Sequence, residues 1–482
     1  MKKKYSFDYS PKTKPFPHQV EAITYITNHD LISLFDEQGL GKTKIVIDSL
    51  CNNMNQGIID GALIICKKHL LFNWKEEIET HSHLKYIELR GSPNEKGIKF
   101  MGYSNFYLIN YESVIGEISR LQMFLSIRKM AIVLDESHKI KNPYSKTTES
   151  IFALKDYAKK RIIISGTPVA NKPEDIWSQF FFLDDGHLLG EDFHEFKNEF
   201  SIDMRDGIIA DQEEKLGKLQ NLISANSIRR LKQDVLELPD KIFIDKYVEL
   251  VGDQKEKYNQ LRDELYIEIT DISGEKIIDE SDEILKKLLR LAQLASNPLL
   301  IDKAYTETPV KFPVIDALVE EIMAKSEKVI IWSCFVENIK ILYKRYKRFG
   351  SLMLYGDIPI EKRGEIVKQF KNNSDFRVLV ANPAAAKEGL TLTAANNAIY
   401  LDRNFNLVDY LQSQDRIHRI TQTKECKIYK IIASNTIDEY IDVIIDKKHK
   451  IAEYIQGDTN HIEVERFLSK TAILNILGRK SI

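Results

Sequence analysis

The segment LISLFDEQGLGKTKIVID (31–48) sets two glycines, a lysine and a threonine side by side, from Gly39 to Thr43. Gly39 and Gly41 allow close approach of the backbone to anionic oxygens. Successive N–H groups and the positive end of a following helix can then hold a phosphate. Lys42 has the reach for β- and γ-phosphates, and the Thr43 hydroxyl suits Mg2+. The apolar run Leu31–Phe35 before the loop and the helical pattern after Lys42 supply the strand–loop–helix context of a Walker A loop. One residue departs from the strict pattern: Asp36 stands where a glycine is usual.

A second constellation is AIVLDESHKIKN (131–142). Asp135 and Glu136 close an apolar strand, the place where α/β sheets present ligand groups. Asp135 suits a hard cation such as Mg2+, and Glu136 suits the polarisation of an attacking water. A third is QSQDRIHRITQ (412–422), with Gln412, Arg416, Arg419 and Gln422. The two arginines are three apart, a spacing that predicts one shared helix face. Arginines that meet a transferring phosphoryl group speed its transfer by about 10³–10⁵.

These residues need a scaffold, and the pattern of the chain describes one. ALIIC (62–66), FYLIN (106–110), AIVLDE (131–136) and RIIISG (161–166) read as buried parallel strands, each followed by a helical segment. VIIWSC (329–334), VLVAN (378–382), AIYLD (398–402) and CKIYKII (426–432) form a second set. The expected fold class is α/β with two parallel-sheet lobes. Charge-rich helical stretches at about 177–236 and 253–301 read as insertions. LELPDKIFIDKYVEL (236–250) has an alternating strand pattern and places a boundary near Pro239. The expected domains are 1–238, 239–450 and a C-terminal helical segment, 451–482. KILYKRYKRF (340–349) reads as a packed helix with Ile339, Leu342, Tyr343 and Tyr346 inward and a solvated basic face.

The chain has 482 residues with 43% hydrophobic and 29% charged, enough to bury cores and excluding wholesale disorder. Its formal charge is −2, so any basic nucleic-acid surface must be local. Cys51, Cys66, Cys334 and Cys426 form no CxxC pair, which predicts free buried thiols in a reducing compartment. No apolar stretch approaches a membrane span, and MKKKYSFDYSPK has no apolar region behind it.

In this order, the motifs resemble those of superfamily 2 helicases, and more finely the Swi/Snf-type ATPases. DEQGLGKT (36–43) is similar to the family's first motif, Asp36 included. PFPHQVEAI (15–23) resembles the adenine-reading segment, which makes Gln19 the adenine partner. LIICKKHLLFNWKEEI (63–78), DESH (135–138) and SGTPVANKPEDIWS (165–178) resemble the next motifs, and IRRLKQDVLELPDK (228–241) and LRLAQLASNPLLI (289–301) resemble family signatures. YGDIPIEKRGEIVKQF (355–370), GLTLTAA (389–395) and the arginine segment complete the series. Ser137, Ala386, Lys387 and Thr421 depart from common family residues.

The resemblance implies two RecA-like lobes and hydrolysis of ATP with Mg2+. ATP would lie on Gln19, Asp36, Glu37, Gln38, Gly39, Leu40, Gly41, Lys42 and Thr43. Lys42, Glu136, Arg416 and Arg419 would be catalytic, and Thr43 and Asp135 would hold the metal. Ser165, Gly166, Thr167, Gln412, His418 and Gln422 would couple the ATP state to DNA. Lys67, Lys68, Lys139, Lys141 and Asn142 follow strand ends and would contact phosphates of double-stranded DNA. The implied activity is ATP-driven translocation on duplex DNA. The alternatives are a strand-separating helicase and a nucleotide-gated DNA-binding module with little turnover. A monomer in the cytoplasm of a bacterial or phage-infected cell is expected, with a protein partner for targeting.

Overall fold

The computed structural model describes residues 10–200, 209–271, 281–385 and 390–459. These fall into two compact units. The first holds residues 10–200, 209–237 and 451–459, and the second holds the rest. One long helix, Ile437–Ile455, runs through Lys450, where the sequence pattern placed a domain edge. No helix among the described residues is long and apolar enough to cross a membrane.

The first unit is built on β1 (Leu31–Leu34), β2 (Gly61–Cys66), β3 (Tyr86–Glu88), β4 (Phe106–Asn110), β5 (Met130–Asp135) and β6 (Lys160–Ile164). Their order is β1-β6-β5-β2-β4-β3, and every pairing is parallel. Parallel sheets carry crossover helices on both faces, so their inner strands are apolar throughout. GALIIC in β2 is buried at all six positions. Ile45, Leu50, Trp74 and Ile78 from the crossover helices pack with Ile64, Val133 and Ile162 of the sheet.

The second unit has β7 (Lys241–Val248), β8 (Val329–Trp332), β9 (Ser351–Leu354), β10 (Val378–Ala381), β11 (Asn397–Tyr400) and β12 (Cys426–Ala433). The order is β7-β12-β11-β8-β10-β9, again all parallel. Alternate residues feed two separate cores. Val329, Ile331, Val378 and Val380 face one, and Ile330, Trp332, Leu379 and Ala381 face the other. That is the period-two alternation of a pleated strand. The helix Val336–Arg345 buries Ile339 and Leu342 and stops at Arg345. Tyr346 lies beyond its end, buried, and donates to Asp316 Oδ1 at 2.8 Å. Cys51, Cys66 and Cys426 are buried thiols outside any disulfide, and Cys334 is only half-buried, short of the burial expected of all four.

What positions the site is the order of the first sheet. The ends of β1 and β5, which carry the glycine loop and Asp135, are separated by β6 alone. Two strand spacings are roughly 10 Å, so the SGT segment that follows β6 (Ser165–Thr167) lies between the two constellations.

Candidate nucleotide site and basic cavity

Gly39 (φ 91°) and Gly41 (φ 79°) both take the left-handed backbone that the loop needs, and the helix Lys42–Asn55 begins directly after Gly41. The Lys42 ammonium curls into the loop and donates to the carbonyls of Asp36 at 2.7 Å and Glu37 at 3.2 Å. Phosphate oxygens are the natural replacement for those carbonyls. Desolvation lowers the Lys42 pKa from its ordinary value, while Glu136 and Asp36 pull it back up.

Gln19 sits against the same loop. Its amide oxygen accepts from Phe16 N at 3.0 Å, and its NH2 donates to Leu40 O at 3.2 Å. His18 Nε2 donates to the same carbonyl at 3.1 Å. The φ of +79° is what favours glycine at position 41; a Cβ there would also displace the movable end of the Gln19 side chain.

Asp36 is fully buried. Its carboxylate accepts two bonds from Arg230, Nε at 3.0 Å and Nη2 at 2.6 Å, and Arg230 Nη1 also donates to His18 O. The loop is further held by Phe35 N donating to Ile228 O at 2.8 Å and Glu37 N to Arg230 O at 2.9 Å. The departure from the strict glycine pattern is therefore a structural ion pair that pins the start of the loop.

At the end of β5, Asp135 Oδ2 accepts from Trp74 Nε1 at 2.8 Å, and Oδ1 accepts from Glu136 N at 2.9 Å. Desolvation, then the neighbouring Glu136 charge, pushes the Asp135 pKa up to about 6. Each oxygen accepts one N–H and keeps a lone pair, the acceptor capacity that a hard dication such as Mg2+ needs. Glu136 holds a left-handed backbone, φ 54° and ψ 52°, a conformation that costs a non-glycine residue about 1–2 kcal/mol. Such strain gathers where a side chain must be aimed. Ser137, the departure within the DESH box, donates to Gln179 Oε1 at 2.6 Å, and Gln179 Nε2 donates to Pro168 O at 2.8 Å.

The SGT segment touches both halves. His138 Nδ1 is 3.2 Å from Glu136 Oε2 and 3.3 Å from Ser165 Oγ. Thr167 N donates to Ser165 Oγ at 3.1 Å. A Cβ on Gly166 would stand 2.5 Å from Gln38 Cγ and 3.3 Å from Lys42 Nζ. Arg229 Nη1 donates to Phe35 O at 2.5 Å and Gly166 O at 3.3 Å, while its other nitrogens pair with Asp458 at 2.9 and 2.6 Å.

Beside this site, at the ends of β2 and β4, lies a cavity of about 700 Å3 lined by Lys67, Lys68, Arg90, Lys96, Lys139 and Glu112, among others. Lys67, Lys68 and Lys139 thus share one basic surface. Lys141 does not line it and pairs with Asp175 at 3.5 Å, and the Asn142 side chain accepts from Tyr144 N at 3.1 Å.

In the second unit the arginine segment differs from its expected shape. The helix Leu407–Gln414 ends before either arginine, and residues 415–421 form turns and bends. Arg416 and Arg419 are therefore not on one helix face. Gln422 explains the break: its Nε2 donates to Ile417 O at 2.9 Å and Ala395 O at 3.1 Å, folding the chain back under the turn. Arg416 is buried, and Arg419 donates to Asp415 O at 3.1 Å and Thr391 Oγ1 at 3.0 Å. Gln412 is buried, and His418 Nε2 donates to Pro239 O at 2.8 Å. Ala386 and Lys387 lie outside the described residues.

Sequence reasoning gave no role to Arg229, Arg230, Gln179, Arg90 or Lys96. The paired arginines of IRRLKQDV were visible as a signature, but their partners are remote in sequence. Arg230 and Asp36 are 194 residues apart.

Residues 18–300 match the SNF2-related domain, and residues 313–421 match the helicase conserved C-terminal domain. The chain is 29% identical to a putative ATP-dependent helicase/translocase, YwqA, of Bacillus subtilis, over 89% of this chain and 47% of that protein. It is 30% identical to an uncharacterized ATP-dependent helicase of Mycoplasma pneumoniae (89% and 41%). It is 27% identical to the ISWI chromatin-remodeling complex ATPase ISW2 of Saccharomyces cerevisiae (85% and 37%). The chain spans less than half the length of these curated relatives. Among solved structures, the Sulfolobus solfataricus SWI2/SNF2 ATPase core in complex with dsDNA shares 26% identity at a TM-score of 0.44, with 98% of this chain and 97% of that one covered. With the SNF2-related domain matched over more than half of its length, this chain belongs to the SNF2-related family of helicase-like proteins.

Proposed function

We propose that the chain is a double-stranded-DNA-stimulated ATPase that translocates on the duplex. The observation that carries the reading is the meeting, in one unit, of the glycine loop with Lys42, the Asp135–Glu136 pair, and a basic cavity that begins at Lys67. The loop N–H groups and Lys42 hold the β- and γ-phosphates, Thr43 and Asp135 hold Mg2+, and Glu136 orients and polarises the attacking water. Mg2+ supplies charge neutralisation across the phosphates when bound. Gln19, fixed against Leu40, reads the adenine. Lys67, Lys68 and Lys139 take the sugar-phosphate backbone, a contact that carries no base sequence. Lys141 and Asn142 are assigned to the DNA backbone as well, outside the cavity that the three lysines share. Ser165, Gly166, Thr167, Gln412, His418 and Gln422 are assigned to coupling. Arg416 and Arg419 are assigned to charge stabilisation of the transferring phosphoryl group.

The printed names of relatives, a helicase/translocase and a chromatin-remodeling ATPase, support a motor acting on DNA. The test is steady-state ATP hydrolysis with no nucleic acid, single-stranded DNA, duplex DNA and RNA. Duplex DNA should stimulate most, and Lys42→Ala should abolish turnover. Displacement of a triplex third strand without duplex opening supports translocation, and opening of the duplex supports the strand-separating alternative. Hydrolysis that survives Lys42→Ala sinks the assignment of the site.

A further inference from the structure

We propose that the Gln38 side chain, with the Thr167 hydroxyl beside it, reads the γ-phosphate and so tells a nucleoside triphosphate from a diphosphate. The inference deepens the proposed function and rests on it.

Two buried donors stand at this site without partners. Gln38 and Thr167 are each 8% exposed. Gln38 Nε2 and Thr167 Oγ1 have no hydrogen-bond partner among the described residues. A buried polar group in that condition has lost its hydration and gained nothing in return. Folded chains keep few such groups, and one that is kept calls for a ligand, an ion or a water. Here two occur side by side, one on the glycine loop and one on the SGT segment.

Gly166 marks where they meet. A Cβ built on it would stand 2.5 Å from Gln38 Cγ, 3.4 Å from Gln38 N and 3.3 Å from Lys42 Nζ. The stem of Gln38 therefore lies over Gly166, on the side where the Lys42 ammonium sits. Its amide nitrogen is two bonds farther along. Thr167 follows Gly166 directly. Its own N–H is taken by Ser165 Oγ at 3.1 Å, which leaves the hydroxyl to a ligand. Arg229 holds the junction together by donating to both Phe35 O and Gly166 O.

The chemistry that fits is an anion with several acceptor oxygens. Lys42 offers three protons, the Gln38 amide two and the Thr167 hydroxyl one. In the proposed pose the loop N–H groups take the β-phosphate, and Lys42 spans the β- and γ-phosphates. An anion that lies beside both Lys42 and Gly166 is then the γ-phosphate. Its departure after hydrolysis leaves the amide and the hydroxyl unpaired again, so the diphosphate state is the poorer one. Gln38 and Thr167 thus add to the preference for triphosphate without touching the base.

The experiment uses the full chain. It measures the dissociation constants of AMP-PNP and ADP, each with Mg2+, by titration calorimetry, and the melting temperature of the nucleotide-free protein. Gln38→Met keeps the length of the side chain and its packing on Gly166 while removing the amide. It should weaken AMP-PNP about tenfold, the worth of a hydrogen bond to a charged group, and ADP by less than about twofold. The nucleotide-free variant should melt no lower than the wild type, because it has lost an unpaired buried donor. Thr167→Val should move the ratio of the two constants in the same direction. Gln38→Glu, equal in size, turns a carboxylate toward the phosphate and should weaken AMP-PNP more than Gln38→Met does. A wild type that binds both nucleotides, with a Gln38→Met ratio within about twofold of its own, overturns the inference alone; that is the result if a water is the only partner of the amide. Equal weakening of both nucleotides with a lower melting temperature makes Gln38 a packing residue and also overturns it. A wild type that binds neither nucleotide overturns the parent reading and the inference together.

Discussion

Removing the Arg230 guanidinium tests whether the Asp36 departure is a structural necessity. Asp36 has no exposed surface and receives two short charge-assisted bonds from Arg230. In Arg230→Ala the carboxylate stays buried and loses its cation. Breaking one side of such a pair costs about 3–5 kcal/mol. A domain of this size shifts by about 2–4 °C per kcal/mol, so the first unit should melt roughly 6–20 °C lower. The chain has two units, so the melt must be resolved by transition. Trp74 and Trp177 report on the first unit and Trp332 on the second. The Trp332 transition is the internal reference. A double variant, Asp36→Leu with Arg230→Met, removes both charges and should recover most of the loss. The reasoning fails if Arg230→Ala melts within about 2 °C of the parent, or if the double variant is as damaged as the single one.

Three further outcomes are expected. The Asp135 pKa is raised to about 6, so the folded site binds a proton more tightly than an open chain does. A protonated carboxyl cannot ligate Mg2+, and apparent Mg2+ affinity should be flat above pH 6 and fall about tenfold per unit below it; an unchanged affinity at pH 5 contradicts this. By the same sign, the metal-free first unit gains stability as pH falls from 6 towards 3.8. Lys68→Ala with Lys139→Ala should lower the slope of log affinity for duplex DNA against log salt by about 1.8, or 0.9 per lost phosphate contact; an unaltered slope removes both from the DNA surface. Gly166→Ala brings a methyl to 2.5 Å from Gln38 Cγ and 3.3 Å from Lys42 Nζ. Overpacking of this kind costs about 1–3 kcal/mol, to be read as weaker ATP binding by titration calorimetry, with wild-type affinity as the contrary result.

The inner strands were legible because burial on both faces leaves a continuous apolar run. FYLIN coincides with β4, and VLVA with β10. The edges were harder. β3, with the sequence YIE, is three half-buried residues, and the SLML of β9 is buried only at its ends. Neither holds a run long enough to stand out, as is usual at the edge of a sheet. The nucleotide loop was legible because its chemistry is contiguous in the chain. The groups that hold it are not: Arg229 and Arg230 act on Phe35, Asp36 and Gly166, and no local spacing encodes that. The arginine segment shows the opposite failure. A three-residue interval fits a helix, but Gln422 satisfies the carbonyls of a turn instead, and periodicity cannot see which residue will cap which carbonyl.

The strand order gives the first unit a short physical route between its two chemistries. Because β6 separates β1 from β5, the residues after β6 cannot avoid either neighbour. Gly166 is packed so closely on Gln38 that a methyl would force its side chain to shift, while Ser165 is within 3.3 Å of His138. Arg229 fixes the far side by donating to both Phe35 O and Gly166 O, so the segment cannot drift from the loop without breaking a charged donor's bonds. The Lys42 side chain thus lies against Gly166, and Ser165, one residue earlier, lies against the His138 ring. Coupling through packed contacts of this kind requires an element with two discrete arrangements. His138 stands where these contacts meet, with Nδ1 3.3 Å from Ser165 Oγ and Nε2 3.0 Å from Lys67 Nζ.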